Sequence, residues 1–333
     1  MTNNNNNNNN NCNFICEKCG REFKLKSYLT KHYQRKTPCK DTEEKTKEKT
    51  KENIKKNNNL KPIFKWSGGK YDELKYILPH IPINYSIYLE PFVGGGAVFF
   101  HLNPQNSVIN DIHKELIYFY QSIKNGNSNK IYEFMKQHPN DETTYYKVRG
   151  YKYKNNENTE NTENNENNEN TVLKIAQKFY YLRKTCFRGM LRYNSKGEFN
   201  IPYGRYKTYN FEELKNKNYE NLLNKTKILN KNFEFIFNNY NDENNFMFLD
   251  PPYDSEFTDY GYCKFDKEEH NKLAKLFKET KIKCLMVIGK TEFIQNLYKD
   301  YIVDEYDKKY KFKLHSGRIG DEINTKHLII KNY

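Results

Sequence analysis

"NYSIYLEPFVGGGAVFFHL", residues 84–102, decides the fold. An apolar run ends at Glu90, the Gly94–Gly96 loop follows, and the apolar spacing then turns helical. Strand, glycine loop and helix in that order make the nucleotide-cradling unit of doubly wound sheets, because glycines let the backbone approach a ligand closely. The glycine spacing is not that of dinucleotide enzymes, and there is no lysine to make a phosphate loop. Roughly twenty residues on, "NSVIND" (106–111) reads as a second strand ending at Asp111, where an acid can accept from ribose hydroxyls. Farther along, "NNFMFLDPPYDSEF" (244–257) carries a buried apolar run, Phe246 to Leu249, into Asp250, two prolines and Tyr253. Prolines remove backbone donors and fix φ, so the pair must end that strand. Taken by itself, the tetrapeptide is an ordinary turn. From Lys61 to Tyr333, short apolar runs alternate with helical patterns, which predicts an α/β domain.

The 333 residues allow one large domain or two smaller ones. A formal net charge of +14 and 16% aromatic residues suit a polyanionic partner, with lysines on phosphates and rings free to stack. Asparagine tracts at Asn3–Asn11 and Asn155–Asn170 point instead to an A/T-rich genome, such as that of a virus or a protist, which would raise lysine without any function. No apolar stretch approaches a membrane span, and the polar N-terminus does not resemble a secretory leader. Seven unevenly spaced cysteines do not make a disulfide framework. An intracellular location is expected, with cytoplasm and nucleus not distinguished.

Composition divides the chain into a disordered Asn tract (1–11), a cysteine-bearing segment (12–40) and a charged linker (41–60). In the second of these, Cys16, Cys19 and His32 follow the pattern C-x2-C-x12-H, with Phe23 and Leu29 spaced to form a small core. Two thiolates on a turn and an imidazole on a helix can converge on tetrahedral zinc. The fourth ligand should be a second His, but the candidate is Cys39, with six residues between it and His32, and Cys12 is a spare that could compete. The segment resembles a single zinc finger of the two-Cys, His, Cys variety. Lys24, Lys26, Lys31, Arg35 and Lys36 would then be available for phosphates, the alternative being a zinc-stapled fold that touches a protein or nothing.

In order along the chain come "FKWSGGK" (64–70), "EPFVGGGAVF" (90–99), "IND" (109–111), "RGMLRYNSKGEFNIPYGRYK" (188–207) and "LDPPY" (249–253). Together they resemble the Dam-type family of DNA adenine methyltransferases, over nearly everything from Leu60 onward. The resemblance implies a Rossmann-like class I methyltransferase fold, with residues 61–127 and 236–333 catalytic. Residues 128–235 would be a mostly helical, hairpin-containing target-recognition region, interrupted by a disordered insertion at 153–171. S-adenosylmethionine would be the methyl donor and duplex DNA the partner, with the protein acting as a monomer. Cofactor contacts fall on Trp66, Lys70, the Glu90–Gly96 segment with Phe92, Gly94 and Gly96, then Asp111 and Asp250. Lys70 is expected to pair with the methionine carboxylate.

The exocyclic amine of adenine is a poor nucleophile because its lone pair is delocalised into the ring. Acceptors from Asp250 and a carbonyl of Pro251 or Pro252 can hold both amine protons and free that lone pair. The adenine must first leave the duplex, and Tyr253 offers it a stacking face. The two prolines would fix these acceptors in advance. Phe187 matches a wedge into the base stack, and Met190, Arg192, Pro202 and Tyr206 match recognition positions. Arg192 could read guanine bidentately, while Arg205 and Lys207 suit phosphates. Ser195–Gly197 would be the hairpin turn, and GATC is the first guess for the target. Gly289–Lys290 stands where the family shows a Ser-Asn pair, and His315, Arg318 and Lys326, in a basic loop before the last strand, are candidate phosphate contacts, the alternative being a solvated loop. Transfer to RNA or to a protein amide, and a catalytically inactive DNA-binding relative, are the alternatives.

Overall fold

The computed structural model describes residues 14–19, 21–35, 59–153, 164–254, 265–309 and 324–333. It divides into two compact units, residues 1–58 and 59–333. In the first, strand β1 (Phe14–Ile15) pairs antiparallel with β2 (Glu22–Phe23), and helix α1 (Lys26–Gln34) follows. Among its described residues the buried ones are Cys16, Cys19 and His32, so three ligating groups stand where a larger fold would put a core. Phe23 packs against the His32 ring at 4.9 Å between centroids.

The second unit is built on one mixed sheet. Its strands are β3 (Tyr88–Glu90), β4 (Ser107–Asn110), β5 (Thr226–Leu229), β6 (Phe246–Leu249), β7 (Lys283–Gly289), β8 (Ile302–Lys309) and β9 (Asn324–Lys331). They lie in the order β5-β4-β3-β6-β7-β9-β8, parallel up to β7 and antiparallel at β7–β9 and β9–β8. The central strand β6 is apolar at every position because both of its faces are covered. One face carries Tyr88, Ile109, Phe246, Phe248, Leu285, Val287 and Ile329. Successive side chains point to opposite faces, so Leu89, Val108, Met247, Leu249, Met286, Ile288 and Leu328 fill the other.

Helices α2 (Ala97–Leu102), α3 (Lys114–Lys124), α4 (Ser128–Gln137), α5 (Glu142–Arg149), α6 (Asn164–Thr185) and α7 (Lys217–Asn224) belong to the first layer. α8 (Glu234–Asn239), α9 (Lys267–Glu279) and α10 (Glu292–Leu297) cover the second. From β3 the chain moves outward to β4 and β5, then returns to β6 on the other side of β3. In an open parallel sheet, the crevice beyond the carboxyl ends of two such strands is where ligands bind.

The sequence-based boundaries shift in three places. Leu60, assigned to the linker, is 4% exposed and part of the core. β5 falls inside the range assigned to recognition, because its register with β4 makes it the edge of the catalytic sheet. Residues 164–171, assigned to a disordered insertion, form the first two turns of α6. A helix already nucleated by the apolar spacing of residues 172–185 extends at low cost into polar neighbours. The tract 1–11 and most of the linker lie outside the described residues, and no helix among the described ones is long and apolar enough to cross a membrane.

Candidate active site

Three acids meet at the carboxyl edge of the sheet because each ends or follows an inner strand. Glu90 is the last residue of β3, Asp111 follows β4 and Asp250 follows β6. The glycine loop between β3 and α2 is bonded on all sides. Gly94 N–H donates to Asp111 Oδ2 at 2.9 Å, and Tyr120 O–H donates to the Gly94 carbonyl at 2.7 Å. Asn110 Nδ2 donates to the Pro91 carbonyl at 3.0 Å. Gly94 has a φ of +45°, and a Cβ on it would lie 2.6 Å from Trp66 Nε1, so no larger residue fits beneath that indole. Gly96, at φ +67°, turns the chain into α2. Phe92 leans away from the loop, onto Phe233 and Phe265.

Asp111 is fixed by its other oxygen as well, since Oδ1 accepts from His113 N–H at 2.9 Å. Burial pushes its carboxyl up to about 6, against the pull of those amide bonds. Glu90, 2% exposed, accepts from Tyr88 O–H at 2.8 Å. Burial holds its carboxyl far above the ordinary range; the Tyr88 bond opposes this, and the charges of Asp250 and Asp111 add to it. Buried Glu90 and Asp111 and half-buried Asp250, with one lysine among them, make a largely acidic site that suits a cationic ligand.

That lysine is Lys70, 2% exposed. The turn Trp66–Gly69 delivers it, with Gly69 N–H donating to the Trp66 carbonyl at 3.1 Å and Gly68 at φ +74°. Its ammonium donates to Asp250 Oδ1 at 2.6 Å and to the Gly68 carbonyl at 2.7 Å. The lysine expected to pair with a ligand carboxylate therefore spends two of its three protons inside the protein. Burial raises the Asp250 carboxyl and Lys70 opposes the rise.

After Asp250 come Pro251, Pro252 and Tyr253, whose ring lies 5.0 Å from the Lys70 ammonium. A Cβ at Gly289 would rest 3.5 Å from the Tyr253 ring, so the glycine that departs from the family pattern borders the ring directly. An added Cβ would make only ordinary van der Waals contact there. Lys290 turns away and donates to Glu305 at 2.7 Å. Lys326, expected on phosphates, also bonds Glu305, while His315 and Arg318 lie outside the described residues.

Behind Tyr253 sits a group that the sequence analysis missed. His327 meets the Tyr253 ring edge-on at 5.2 Å, and its Nδ1 lies 2.6 Å from Glu73 Oε2. Tyr306 O–H donates to the same oxygen at 2.6 Å, and Lys308 donates to Oε1 at 2.5 Å. Burial works to raise the Glu73 carboxyl, but its bond to His327 and the Lys70 charge win and hold it down at about 2. One signal was available: His327 is in phase with buried Ile329 on β9, an ionisable side chain at a core position.

The residues expected to meet DNA gather on loops after α6. Tyr193 and Phe199 pair across a hairpin whose turn closes with Gly197 N–H donating to the Asn194 carbonyl at 2.8 Å. Phe187 is 40% exposed, Met190 is half-buried, and Pro202 and Lys207 are exposed. Phe187 N–H donates to the Pro202 carbonyl at 2.8 Å, which holds those two residues side by side. Exposed Arg192 donates to Asn200 Oδ1 at 2.8 Å, and Arg205, at φ +53°, pairs with Glu142 at 3.2 Å. Tyr206 is half-buried over Gly204.

In the N-terminal unit the ligand atoms of Cys16, Cys19 and His32 all lie within 4.8 Å of one another, and Cys19 Sγ is 3.3 Å from His32 Nε2. Tetrahedral zinc, with bonds of about 2.3 Å to sulfur and about 2.0 Å to nitrogen, requires a separation of about 3.5 Å, so the three fit the ion. Cys12 and Cys39 lie outside the described residues.

The profile of the family described as D12 class N6 adenine-specific DNA methyltransferase matches residues 66–314. The type II methyltransferase M.CviBI of Paramecium bursaria Chlorella virus NC1A is 58% identical over 276 residues, which cover 82% of this chain and all of that protein. The type II methyltransferase M.MjaIII of Methanocaldococcus jannaschii is 33% identical, covering 82% of this chain and 99% of its own. A DNA adenine methylase of Haemophilus influenzae is 29% identical over 72% of this chain and 82% of its own.

Proposed function

The chain belongs to the D12 class of N6 adenine-specific DNA methyltransferases, and from that membership we propose how its residues divide the work. S-adenosylmethionine, as the donor this family implies, supplies an activated methyl group on a sulfonium cation. The acidic edge formed by Glu90, Asp111 and Asp250 suits such a cation and its amino group. The Gly94–Gly96 loop, held under Trp66, cradles the methionine and ribose, with Phe92 supporting it and Asp111 accepting from ribose hydroxyls. Lys70 fixes Asp250 through Oδ1, so that Oδ2 accepts one proton of the adenine amine. A carbonyl of Pro251 or Pro252 accepts the other, and the nitrogen lone pair is released from the ring. Tyr253 stacks on the flipped base. Acceptors fixed before the base arrives need no reorganisation when charge develops, and alignment of the two reactants removes a large part of the barrier.

The sheet order supports a class I methyltransferase fold. Phe187 acts as the wedge, Met190, Arg192, Pro202 and Tyr206 read bases, and Arg205 and Lys207 hold phosphates. The target to test first is GATC. Relatives named type II methyltransferases support a place in a restriction–modification system. Zinc on Cys16, Cys19, His32 and Cys39 staples the N-terminal unit, whose Lys24, Lys26, Lys31 and Arg35 add sequence-independent DNA contacts.

The observation that carries this reading is the Lys70–Asp250 pair at 2.6 Å, beside Tyr253 and at the end of the strand next to β3. The test incubates the protein with labelled S-adenosylmethionine and, in parallel, mixed duplex DNA, RNA and a protein extract, and maps modified adenines in the DNA by sequencing. Label at N6 of adenine in one short context, lost in Asp250→Ala, is the expected result. Label found only in RNA or protein, or an Asp250→Ala variant with undiminished transfer, overturns the assignment.

A further inference from the structure

Arg183, in the last turn of α6, is 2% exposed and so is beyond the reach of DNA. Its guanidinium nevertheless bridges the two halves of the site. Nη1 donates to the Met190 carbonyl at 2.7 Å, and Nη2 donates to the Lys65 carbonyl at 2.8 Å and to the Gly189 carbonyl. The same cation lies 5.1 Å from the Trp66 ring centroid. One planar group therefore grips the segment that leads into the cofactor loop and the turn that leads into the recognition hairpin.

That turn needs a grip. Arg188 has a φ of +55° and Gly189 a φ of +60°, two consecutive left-handed residues of which only the second is a glycine. A side-chain-bearing residue in that conformation is strained, and the turn persists only where its surroundings over-determine it. The Arg183 bonds to the carbonyls of Gly189 and Met190 supply that constraint, and the fork geometry of a guanidinium can serve several carbonyls at once where an ammonium cannot. Phe187 immediately precedes the turn and Met190 follows it, with Arg192 two residues on.

We propose that Arg183 is a positioning residue for target discrimination: it holds the Phe187–Met190 turn against the Lys65–Trp66 segment, so that base-reading side chains are presented at a fixed height above the methyl-transfer site. This rests on reading Met190 and Arg192 as base contacts. Without the clamp, the hairpin would still bind DNA through its exposed basic groups, but with its reading side chains out of register.

The experiment treats a library of duplexes with the full-length protein and S-adenosylmethionine, then sequences the methylated contexts. Alongside it run the KM for S-adenosylmethionine and the melting temperature. Arg183→Lys is expected to keep that KM within about threefold, while the preference for the best context over its single-base variants falls about tenfold, the scale of one lost base contact. Adding Arg188→Gly should restore part of the preference, because glycine takes φ +55° without strain. Should Arg183→Lys fail to fold, Gly189→Ala strains the same turn and lies 3.4 Å from Lys65 Cβ, and the same loss is expected of it. Unchanged preference in a folded Arg183→Lys or in Gly189→Ala overturns the proposal, as does a loss that appears only in the KM for S-adenosylmethionine. Met190→Ala and Arg192→Ala separate the premise from the inference: if neither alters the contexts, the hairpin reading falls, and if both do while Arg183→Lys does not, the clamp alone is refuted.

Discussion

The carboxyl edge of the sheet and the recognition hairpin spend polar groups in opposite ways. At the edge, Glu90, Asp111 and Asp250 are largely withdrawn from water and each carboxylate is bonded to a fixed neighbour. At the hairpin, Arg192, Arg205 and Lys207 stand in solvent, and the two arginines each hold one polar side chain. Chemistry on an inert amine needs acceptors already in position, and the desolvation they incur is met during folding. Reading a duplex needs side chains that exchange a weak partner for a base or phosphate on arrival. The difference predicts that substitutions at the edge act on rate and cofactor, and those at the hairpin on sequence preference.

The sharpest way to break that contrast is Asp250→Ala. Loss of a preorganised acceptor is expected to lower kcat by about a thousandfold, with DNA affinity by fluorescence anisotropy within about threefold. A comparable loss of DNA affinity instead would erase the division. Next comes the support behind Tyr253. A carboxyl lowered from the usual 4.5 to about 2 stabilises the native state above the unfolded value, and that stability drains away as pH falls through 4.5 toward 2. For buried Glu73 this amounts to about 3 kcal/mol. Urea unfolding of Glu73→Gln across that window should lose this slope relative to the unaltered protein.

Gly94→Ala should then weaken S-adenosylmethionine binding by about tenfold to a hundredfold, because its Cβ must displace Trp66 from the loop. Isothermal titration would register this, with the hairpin's sequence preference unchanged. The smallest effect is expected at the surface: an exposed pair such as Arg205–Glu142 contributes about 0–1 kcal/mol. Glu142→Gln should leave stability unaltered and, by releasing Arg205, raise DNA affinity by less than about threefold at low salt.

The α/β architecture was legible because strand ends, a glycine loop and prolines leave local marks. Glu90, Asp111 and Asp250 each terminate an apolar run, and the sheet order brings those ends together. What stayed hidden depends on partners distant in the chain. Glu73 and His327 are separated by 254 positions, and only the insertion of β9 beside β7 joins them. Lys70 was legible as a site residue, but its partner was not, since nothing in "WSGGK" says whether an ammonium faces a ligand or the acid of a strand far downstream. Arg183 escaped notice for a related reason: in the periodic pattern of α6, a buried arginine looks like the next solvent-facing charge. The extent of α6 was misjudged because composition describes a segment in isolation, whereas helices propagate from their neighbours.

The position of β9 also orders events in time. It comes later in the chain than every other described strand, yet it lies inside the sheet, between β7 and β8. A ribosome delivers the chain from its N-terminus, so the glycine loop, the Lys70 turn and the Asp250 corner all emerge before the strand that carries His327. Until residues 324–331 have cleared the exit tunnel, Tyr253 lacks the ring at its back and Glu73 lacks its His327 partner. Among the described strands, the one that completes the packing behind the Asp250 corner is thus the last to leave the ribosome.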